Sequence, residues 1–277
     1  MRTVALPCGE HVPALGMGTW YMGEDRAKRA EEIASLQRGL DLGMRLIDTA
    51  EMYADGGAEE LVGKAIAARR HEVFLVSKVY PHNATRRGAI AACERSLKRL
   101  KTDHLDLYLL HWRGAVPFEE TLSAFAALKE SGKIRHFGVS NLDLADMRAL
   151  WKLPHAAEIQ TNQLLYNLVR RGIELDLLPW LRERRIPVMA YSPIEQGKLA
   201  RNAKLAAFAR ESGMSAAQAA LAWLLRNDDV IAIPKSARGD RMKENLEAAR
   251  VELSGDQLAQ LDRLFPRPSE PRALEML

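Results

Sequence analysis

Four side chains that can exchange protons or donate hydrogen bonds follow three successive strand-like runs of this sequence. The first run ends at Asp48, and Tyr53 lies in the loop behind it. Lys78 ends the second run and His111 ends the third. In a barrel of parallel strands the carboxyl ends of all strands face one mouth, so side chains there converge even when they are far apart in the sequence. We therefore expect these four residues to form one site.

These residue types suit the protonation of a carbonyl oxygen. A free phenol has a pKa of about 10, which is too high for efficient proton exchange at neutral pH. A lysine ammonium about 4 Å away, at an effective dielectric constant of about 20, favours the phenolate by about 4 kcal/mol, or roughly 3 pKa units. We therefore expect Lys78 to lower the pKa of Tyr53 toward neutrality, and Asp48 to keep Lys78 charged and oriented. His111 can donate a hydrogen bond to the carbonyl, and the missing reactant is a hydride.

Each of the four residues also has a structural interpretation, and two other chemistries are open. Taken alone, the acid could cap a helix, the two rings could pack in the core, and the lysine could be solvated. Lys78 could also form a Schiff base, as in aldolases, but that chemistry needs a neutral amine and a neighbouring Asp48 would hold it protonated. The seven histidines show no HxH, HExxH or histidine–carboxylate spacing, so we expect no catalytic metal.

Polar and aromatic residues at the ends of later strand-like runs suit a nicotinamide ring. Ser140, Asn141 and Gln163 offer the mixed donors and acceptors that a carboxamide needs. Tyr191 offers a flat face on which a ring can stack. These residues indicate the source of the missing hydride.

Basic residues between the last strand-like run of the barrel and the helix that follows it suit a phosphate group. Lys235 follows the last strand-like run, and Arg238 and Arg241 lie at the beginning of the next helix, ahead of Glu244 and Asn245. A helix N-terminus attracts anions, and an arginine can bind a phosphate through two hydrogen bonds. Surface charge is the alternative interpretation of the same residues.

Alternating strand and helix patterns predict how these residues are positioned. A short β-hairpin is expected over 3–13. Strands are then predicted over 15–20, 45–50, 73–78, 105–111, 134–139, 157–162, 188–191 and 230–233. Helices are predicted over 28–42, 57–69, 86–99, 118–131, 143–151, 172–185, 215–226 and 240–249, with a last one over 255–264.

Eight strand–helix units, spaced by roughly 30 residues, predict an α/β fold, the (β/α)₈ TIM barrel, preceded by the β-hairpin and followed by a short C-terminal tail. We expect a single domain over 1–277. An open doubly wound sheet would usually carry GxGxxG after its first strand, and here Tyr21 stands at the position of the third glycine. Gly16 and Gly18 instead predict a close backbone approach.

Composition excludes several other classes of protein. The chain is 47% hydrophobic and 27% charged, with a net charge of +4, which is typical of a globular protein. The pI of about 9.1 is accompanied by no nucleic-acid-binding motif. The two cysteines form no CxxC, and we expect neither a membrane span nor a signal peptide. We expect a cytoplasmic monomer that binds a small carbonyl compound, with no nucleic acid or membrane partner.

Seven segments, which span nearly the whole chain, resemble the aldo-keto reductase superfamily in their order. They are Gly16–Trp20, Asp48–Ala54, Gly57–Glu60, Leu109–Trp112, Gly138–Asn141, Ala190–Pro193 and Ile233–Ser236. The run Trp20–Asp25 resembles bacterial members that reduce methylglyoxal and related small aldehydes. The resemblance implies an NADPH-dependent carbonyl reductase acting on small aldehydes, 2-oxoaldehydes or aromatic aldehydes, without a metal.

The resemblance also implies a role for each matching residue. Tyr53 would be the proton donor, Lys78 would lower its pKa, Asp48 would anchor Lys78, and His111 would orient the substrate. The implied NADPH-binding residues are Gly18, Thr19, Trp20, Asp48, Ser140, Asn141, Gln163, Tyr191, Ser192, Pro193, Ile194, Leu199, Pro234, Lys235, Ser236, Arg241, Glu244 and Asn245. The implied substrate pocket consists of Trp20, Tyr80, His111 and Trp112.

Two segments depart from the family pattern, and one alternative remains. The run 194–198 contains Glu195 and few small residues, which puts its contact with the pyrophosphate in doubt. The tail after Phe265 is short, which predicts an open and permissive pocket. Some barrels of this family serve mainly as cofactor-sensing partner subunits with slow turnover, although the complete set of four catalytic residues argues against that role here.

Overall fold

An antiparallel hairpin opens the chain in the computed structural model, which describes residues 2–236 and 239–277. Its strands are β1 (Thr3–Ala5) and β2 (His11–Pro13), and Val4 lies opposite Val12 with both side chains buried. The predicted hairpin over 3–13 is confirmed. The Glu10 carboxylate, just before β2, accepts hydrogen bonds from the side chain of Arg135, 2.8 and 3.0 Å away.

Eight parallel strands form the central sheet, and each pairs with its neighbours in chain order. They are β3 (Met17–Gly18), β4 (Leu46–Asp48), β5 (Phe74–Val79), β6 (Leu105–Leu110), β7 (Ile134–Ser140), β8 (Ile159–Leu165), β9 (Val188–Tyr191) and β10 (Val230–Ala232). Arg135 lies near the start of β7, so the hairpin sits at the amino-terminal end of the strands. Active sites of such barrels lie at the opposite end.

Backbone hydrogen bonds also join the first and last strands of this sheet. The N–H of Gly16 donates to the carbonyl oxygen of Ala232 at 2.9 Å, and that of Gly18 donates to Pro234 at 3.0 Å. A Cβ atom at Gly18 would lie 2.8 Å from the carbonyl oxygen of Ile233. The close approach that the two glycines predict is therefore confirmed at this seam, and the barrel is confirmed over the open sheet.

Ten helices pack around the strands in the described part of the chain. They are α1 (Arg29–Asp41), α2 (Gly57–Ile66), α3 (Arg86–Leu100), α4 (Phe118–Glu130), α5 (Leu144–Leu150), α6 (Leu177–Glu183), α7 (Ala203–Glu211), α8 (Ala216–Leu225), α9 (Gly239–Ala248) and α10 (Gly255–Leu264). Across residues 2–236 and 239–277, none of these helices combines the length and the apolar character that a membrane crossing requires.

Two helical segments differ from the prediction. The helix predicted over 172–185 is a 3₁₀ turn, Gly172–Glu174, followed by the shorter α6. Pro179 has no N–H to donate, which a helix beginning at residue 172 would need there, whereas the first turn of α6 tolerates it. Helix α7 was not predicted. Its N-cap is Asn202, whose side chain accepts the N–H of Leu205 at 3.0 Å.

The C-terminal tail returns to the carboxyl end of the barrel. Leu274 packs against the core, and Glu275 forms an ion pair with Arg170 at 2.5 Å. The last two residues, Met276 and Leu277, line the cavity at the mouth of the barrel. The tail, although short, is therefore long enough to reach the cavity wall, and the open and permissive pocket stays a prediction.

Candidate active site

A cavity of about 580 Å³ opens at the carboxyl ends of the strands, within the usual size range of small-molecule sites. Tyr53 and His111 lie in its wall, as do the basic residues Lys235 and Arg241. The sequence-predicted residues that line it are Gly18, Thr19, Trp20, Asp48, Tyr53, His111, Trp112, Ser140, Asn141, Gln163, Tyr191, Ser192, Pro193, Ile194, Lys235 and Arg241. These residues come from the ends of seven strands and from helix α9, and the fold brings them together.

Other predicted residues lie behind or beside the lining. They are Lys78, Tyr80, Leu199, Pro234, Ser236, Glu244 and Asn245. Lys78 and Leu199 are buried, and the Glu244 carboxylate accepts a hydrogen bond from the hydroxyl of Ser215, the N-cap of α8. Arg238 lies outside the described residues.

Seven lining residues were missed by the sequence prediction. They are Tyr21, Met52, Gln196, Gly197, Ile233, Met276 and Leu277. Five of them directly adjoin predicted residues or lie in the loop after Tyr191, so the position of those loops in the barrel was the available signal. No sequence signal points to Met276 and Leu277, because their position depends on the path of the tail.

The ammonium group of Lys78 joins the two residues of the β4 loop that were predicted to work with it. Its Nζ donates to Asp48 Oδ2 at 2.8 Å, to the carbonyl oxygen of Thr49 at 2.8 Å and to the Tyr53 hydroxyl at 3.1 Å. These bonds use all three N–H donors of an ammonium group. Burial is the largest single influence and lowers the pKa of Lys78, but the attraction and hydrogen bonds of Asp48 and Tyr53 together outweigh it, so the net shift is upward.

A charged Lys78 excludes the Schiff-base chemistry considered above, since that reaction needs the neutral amine. The described part of the chain contains one group of potential metal ligands, Cys8, Glu10 and His136, whose donor atoms lie within 4.8 Å of one another. It lies at the hairpin end of the barrel, opposite the cavity, and its carboxylate already bonds to Arg135 and His136.

The pKa of the Tyr53 phenol is raised, not lowered. Burial is the largest influence and raises the pKa, the Lys78 ammonium lowers it, and the Asp48 carboxylate raises it again. The prediction that Lys78 alone brings this pKa toward neutrality is therefore wrong for the protein without bound ligand. It omitted the loss of hydration on burial, which disfavours the phenolate. Tyr53 is consequently a protonated acid at neutral pH.

His111 is neutral at the same pH. Burial and, to a smaller extent, the positive charge of Lys78 hold the pKa of its imidazole well below the ordinary value. Its ring lies 5.7 Å from that of Tyr53 and 4.8 Å from that of Trp112, measured between centroids. The Nδ1 atom is buried with no hydrogen-bond partner among the described residues. A neutral imidazole can donate one hydrogen bond to a carbonyl oxygen and so orient it.

The predicted carboxamide residues form one hydrogen-bonded network with the candidate catalytic residues. Gln163 Nε2 donates to Asp48 Oδ1 at 2.7 Å, so Gln163 presents its Oε1 as the remaining acceptor. The Ser140 hydroxyl donates to the carbonyl oxygen of Gln163 at 2.9 Å. The Tyr191 hydroxyl donates to Asn141 Oδ1 at 3.0 Å, which fixes the edge of its ring. This part of the cavity is therefore organised by the protein itself.

The loop after β9 presents its backbone to the cavity and turns its acid away. Ser192, Glu195 and Gln196 all have positive φ angles, of 48°, 49° and 51°. The buried Glu195 carboxylate accepts hydrogen bonds from Asn167 at 2.8 Å and Arg170 at 2.8 Å. Burial raises the pKa of this carboxyl, but the two partners together lower it by more. The net shift is downward, so the acid stays ionised and paired. Glu195 therefore adds no negative charge to the part of the cavity wall that this loop forms.

Comparisons with known proteins cover almost the whole chain. Residues 14–265 match the model of the aldo/keto reductase family. Methylglyoxal reductase YeaE of Escherichia coli is 53% identical over 96% of this chain and 95% of its own length. Glyoxal reductase of Bacillus subtilis is 34% identical over 97% and 96%. A crystal structure of an aldo-keto reductase from Klebsiella pneumoniae in complex with NADPH is 50% identical, covers 100% of this chain and 99% of its own, and has a TM-score of 0.97.

Proposed function

This chain belongs to the aldo/keto reductase family, and we propose that it reduces small aldehydes and 2-oxoaldehydes such as methylglyoxal to alcohols with NADPH. The observation that carries the proposal is the set of contacts from Lys78 Nζ to Asp48 and Tyr53, beside His111 at the wall of the cavity. Two relatives whose names give them methylglyoxal or glyoxal as substrate support the substrate class. The overall change is addition of one hydride and one proton to the carbonyl.

The nicotinamide part of NADPH, which supplies the hydride when bound, fits the middle of the cavity. Gln163 Oε1 is the acceptor that would receive the carboxamide N–H, because Gln163 Nε2 is held by Asp48. Ser140 and Asn141 would provide the other carboxamide contacts. The Tyr191 ring would stack on the nicotinamide, since its hydroxyl is already fixed by Asn141.

The phosphate groups of NADPH fit the basic part of the cavity wall. Lys235 and Arg241 would hold the 2′-phosphate, with Ser236 beside them, because both cations lie in the lining. Ser192 and Gly197 belong to the loop that would follow the pyrophosphate. Gly18, Thr19, Trp20, Pro193, Ile194, Leu199, Pro234, Glu244 and Asn245 complete the proposed cofactor-binding set.

Tyr53 donates the proton in this proposal. The phenol O–H transfers its proton to the carbonyl oxygen as hydride adds to the carbonyl carbon, and the phenolate left behind would be stabilised by Lys78, 3.1 Å away. Asp48 holds Lys78 in place and keeps it charged. His111 donates a hydrogen bond to the carbonyl oxygen and sets its direction.

The substrate end of the cavity is mainly apolar and aromatic. Trp20 stacks on Tyr21 with 4.5 Å between ring centroids, and Trp112 packs edge-on against Tyr80. Met276 and Leu277 cover it from the tail. Such a wall accommodates the hydrocarbon part of a small aldehyde, and its aromatic surfaces suit an aromatic aldehyde as well.

The purified protein is expected to oxidise NADPH in the presence of methylglyoxal, and more slowly with NADH because NADH has no 2′-phosphate for Lys235 and Arg241. The measurement is the loss of reduced cofactor absorbance, with a panel of aromatic aldehydes run in parallel and cofactor without aldehyde as the blank. Failure to oxidise NADPH with every carbonyl would end the proposal, and equal affinity for the two cofactors would remove the role of Lys235 and Arg241.

The rate of carbonyl reduction is expected to stay level across the neutral pH range. His111 has a lowered pKa and is already neutral below the ordinary histidine value of about 6.5, while Tyr53 has a raised pKa and keeps its proton beyond the ordinary tyrosine value of about 10. Reduction needs the protonated phenol and should fall only as pH rises through that raised pKa. Alcohol oxidation needs the phenolate and should rise there. Stopped-flow measurement of the hydride step in both directions tests this, and a loss of reduction between pH 7 and 8 would contradict it.

A further inference from the structure

Glu51 lies between the anchor Asp48 and the proton donor Tyr53, and its side chain is only 8% exposed. Its Oε1 accepts the backbone N–H of Tyr80 at 2.7 Å and the side-chain amide of Asn83 at 3.0 Å. Its Oε2 lies 3.6 Å from the guanidinium of Arg95 on α3. One carboxylate therefore fastens the loop after β4 to the turn that follows β5.

The contacts of Glu51 continue from that turn into the wall of the cavity. The Tyr80 ring packs edge-on against Trp112, 5.1 Å away, and Trp112 packs against His111 at 4.8 Å, both measured between ring centroids. His111 in turn faces the ring of Tyr53 at 5.7 Å. These contacts form a closed circuit. Glu51 contacts Tyr80, and the successive ring contacts end at Tyr53, which lies two residues after Glu51 in the chain.

This circuit contains the two groups that the proposed reaction needs to hold at a fixed separation. Tyr53 gives the proton and His111 directs the carbonyl oxygen, yet they belong to different loops and no hydrogen bond between their side chains is present among the described residues. Their spacing depends on the elements that join those loops. Glu51 supplies the polar connection in this circuit, since it joins the β4 loop to the backbone of Tyr80.

We propose that Glu51 is a positioning residue for carbonyl reduction. It sets the distance between the Tyr53 hydroxyl and the His111 ring by fixing the β4 loop against Tyr80 and thereby against Trp112. The inference rests on the proposed function. Glu51 does not line the cavity and touches neither the hydroxyl of the proposed proton donor nor the proposed cofactor site. It therefore acts through the relative positions of Tyr53 and His111. A displacement of about 1 Å at a reacting centre lowers rates by about 100-fold.

Two substitutions separate this role from general support of the fold. Glu51→Ala removes the acceptor and should lower kcat for methylglyoxal by roughly 10- to 100-fold, while the Kd of NADPH stays within about twofold. Glu51→Gln keeps an oxygen that can accept from Tyr80 and Asn83 and should recover most of kcat. The matched control is Glu120→Ala: Glu120 accepts the backbone N–H of Arg86 at 2.8 Å, at the start of α3 and outside the cavity, and its loss should leave kcat unchanged.

Thermal unfolding of each variant establishes that it is folded at the assay temperature. A folded Glu51→Ala protein with kcat within twofold of the parent would overturn the proposal. So would a Glu51→Gln protein as slow as Glu51→Ala, or an equal loss in Glu120→Ala. Wild-type turnover, measured first, tests the proposed function separately. Crystal structures of the variants need no turnover: Glu51→Ala should displace Tyr80 and Trp112, and unchanged positions would overturn the inference even in an inactive protein.

Discussion

Replacing Tyr53 with phenylalanine is expected to lower kcat for carbonyl reduction by about 1,000-fold, within the 10²- to 10⁴-fold range of general acid catalysis. The phenol hydroxyl is the proposed proton donor and lies 3.1 Å from Lys78 Nζ, and the ring without it keeps nearly the same volume. Binding of NADPH should not change, because none of the proposed cofactor contacts uses that hydroxyl. Steady-state rates and fluorescence titration with NADPH measure the two effects.

The matched control is Tyr108→Phe. Tyr108 is fully buried outside the cavity lining, packs against Phe125, and has a hydroxyl with no partner among the described residues. Removing that hydroxyl should leave kcat within about twofold. General acid catalysis contributes about 10²-fold or more to a rate. If Tyr53→Phe kept more than a tenth of the parent kcat, Tyr53 would not be the general acid.

Replacing Lys78 with methionine is expected to destabilise the protein by about 3–5 kcal/mol as well as to remove turnover. The Asp48 side chain is 3% exposed, and without the ammonium its negative charge remains buried with no opposite charge beside it. Adding Asp48→Asn removes that charge while its oxygen can still accept from Gln163. The double variant should recover part of the stability and none of the turnover. Chemical denaturation monitored by tryptophan fluorescence measures both proteins.

Lys129→Met provides the matched surface control for this experiment. Lys129 also pairs with a single acid, Glu158, at 2.7 Å, but the two side chains are 40% and 37% exposed. Solvent screening limits such a pair to about 0–1 kcal/mol. A loss at Lys78→Met no larger than that at Lys129→Met would show that Asp48 can shed its charge or reach water, contrary to the buried pair described above.

The pKa of Tyr53 shows a general limit of inference from residue types, because burial shifts it in the direction opposite to the one predicted. Strand patterns bring Lys78 and Tyr53 to one mouth, and Coulomb attraction between them follows from that position alone. Burial does not follow from it, since burial depends on every element packed around the phenol. The hydration lost by the phenolate is the larger influence, and it reverses the direction of the shift.

Local signals in the chain were sufficient for most of the fold. The alternation of apolar strands and amphipathic helices predicts the barrel, because each period matches the geometry of one element. Gly16 and Gly18 predict a close backbone approach, and the structure identifies the neighbour of Gly18 as the carbonyl of Ile233. Helix α7 escaped prediction, although Asn202 is an ordinary N-cap residue.

The sequence by itself determined the family, the barrel, and which strand ends carry Asp48, Tyr53, Lys78 and His111. These follow from periodicity and residue type, which are local properties. Only the tertiary structure decided the direction of the Tyr53 pKa shift, the return of Met276 and Leu277 to the cavity, the inward pairing of Glu195 with Arg170, and the contacts of Glu51. Each of these depends on which distant segments pack together and how completely they exclude water, and no spacing along the chain carries that information.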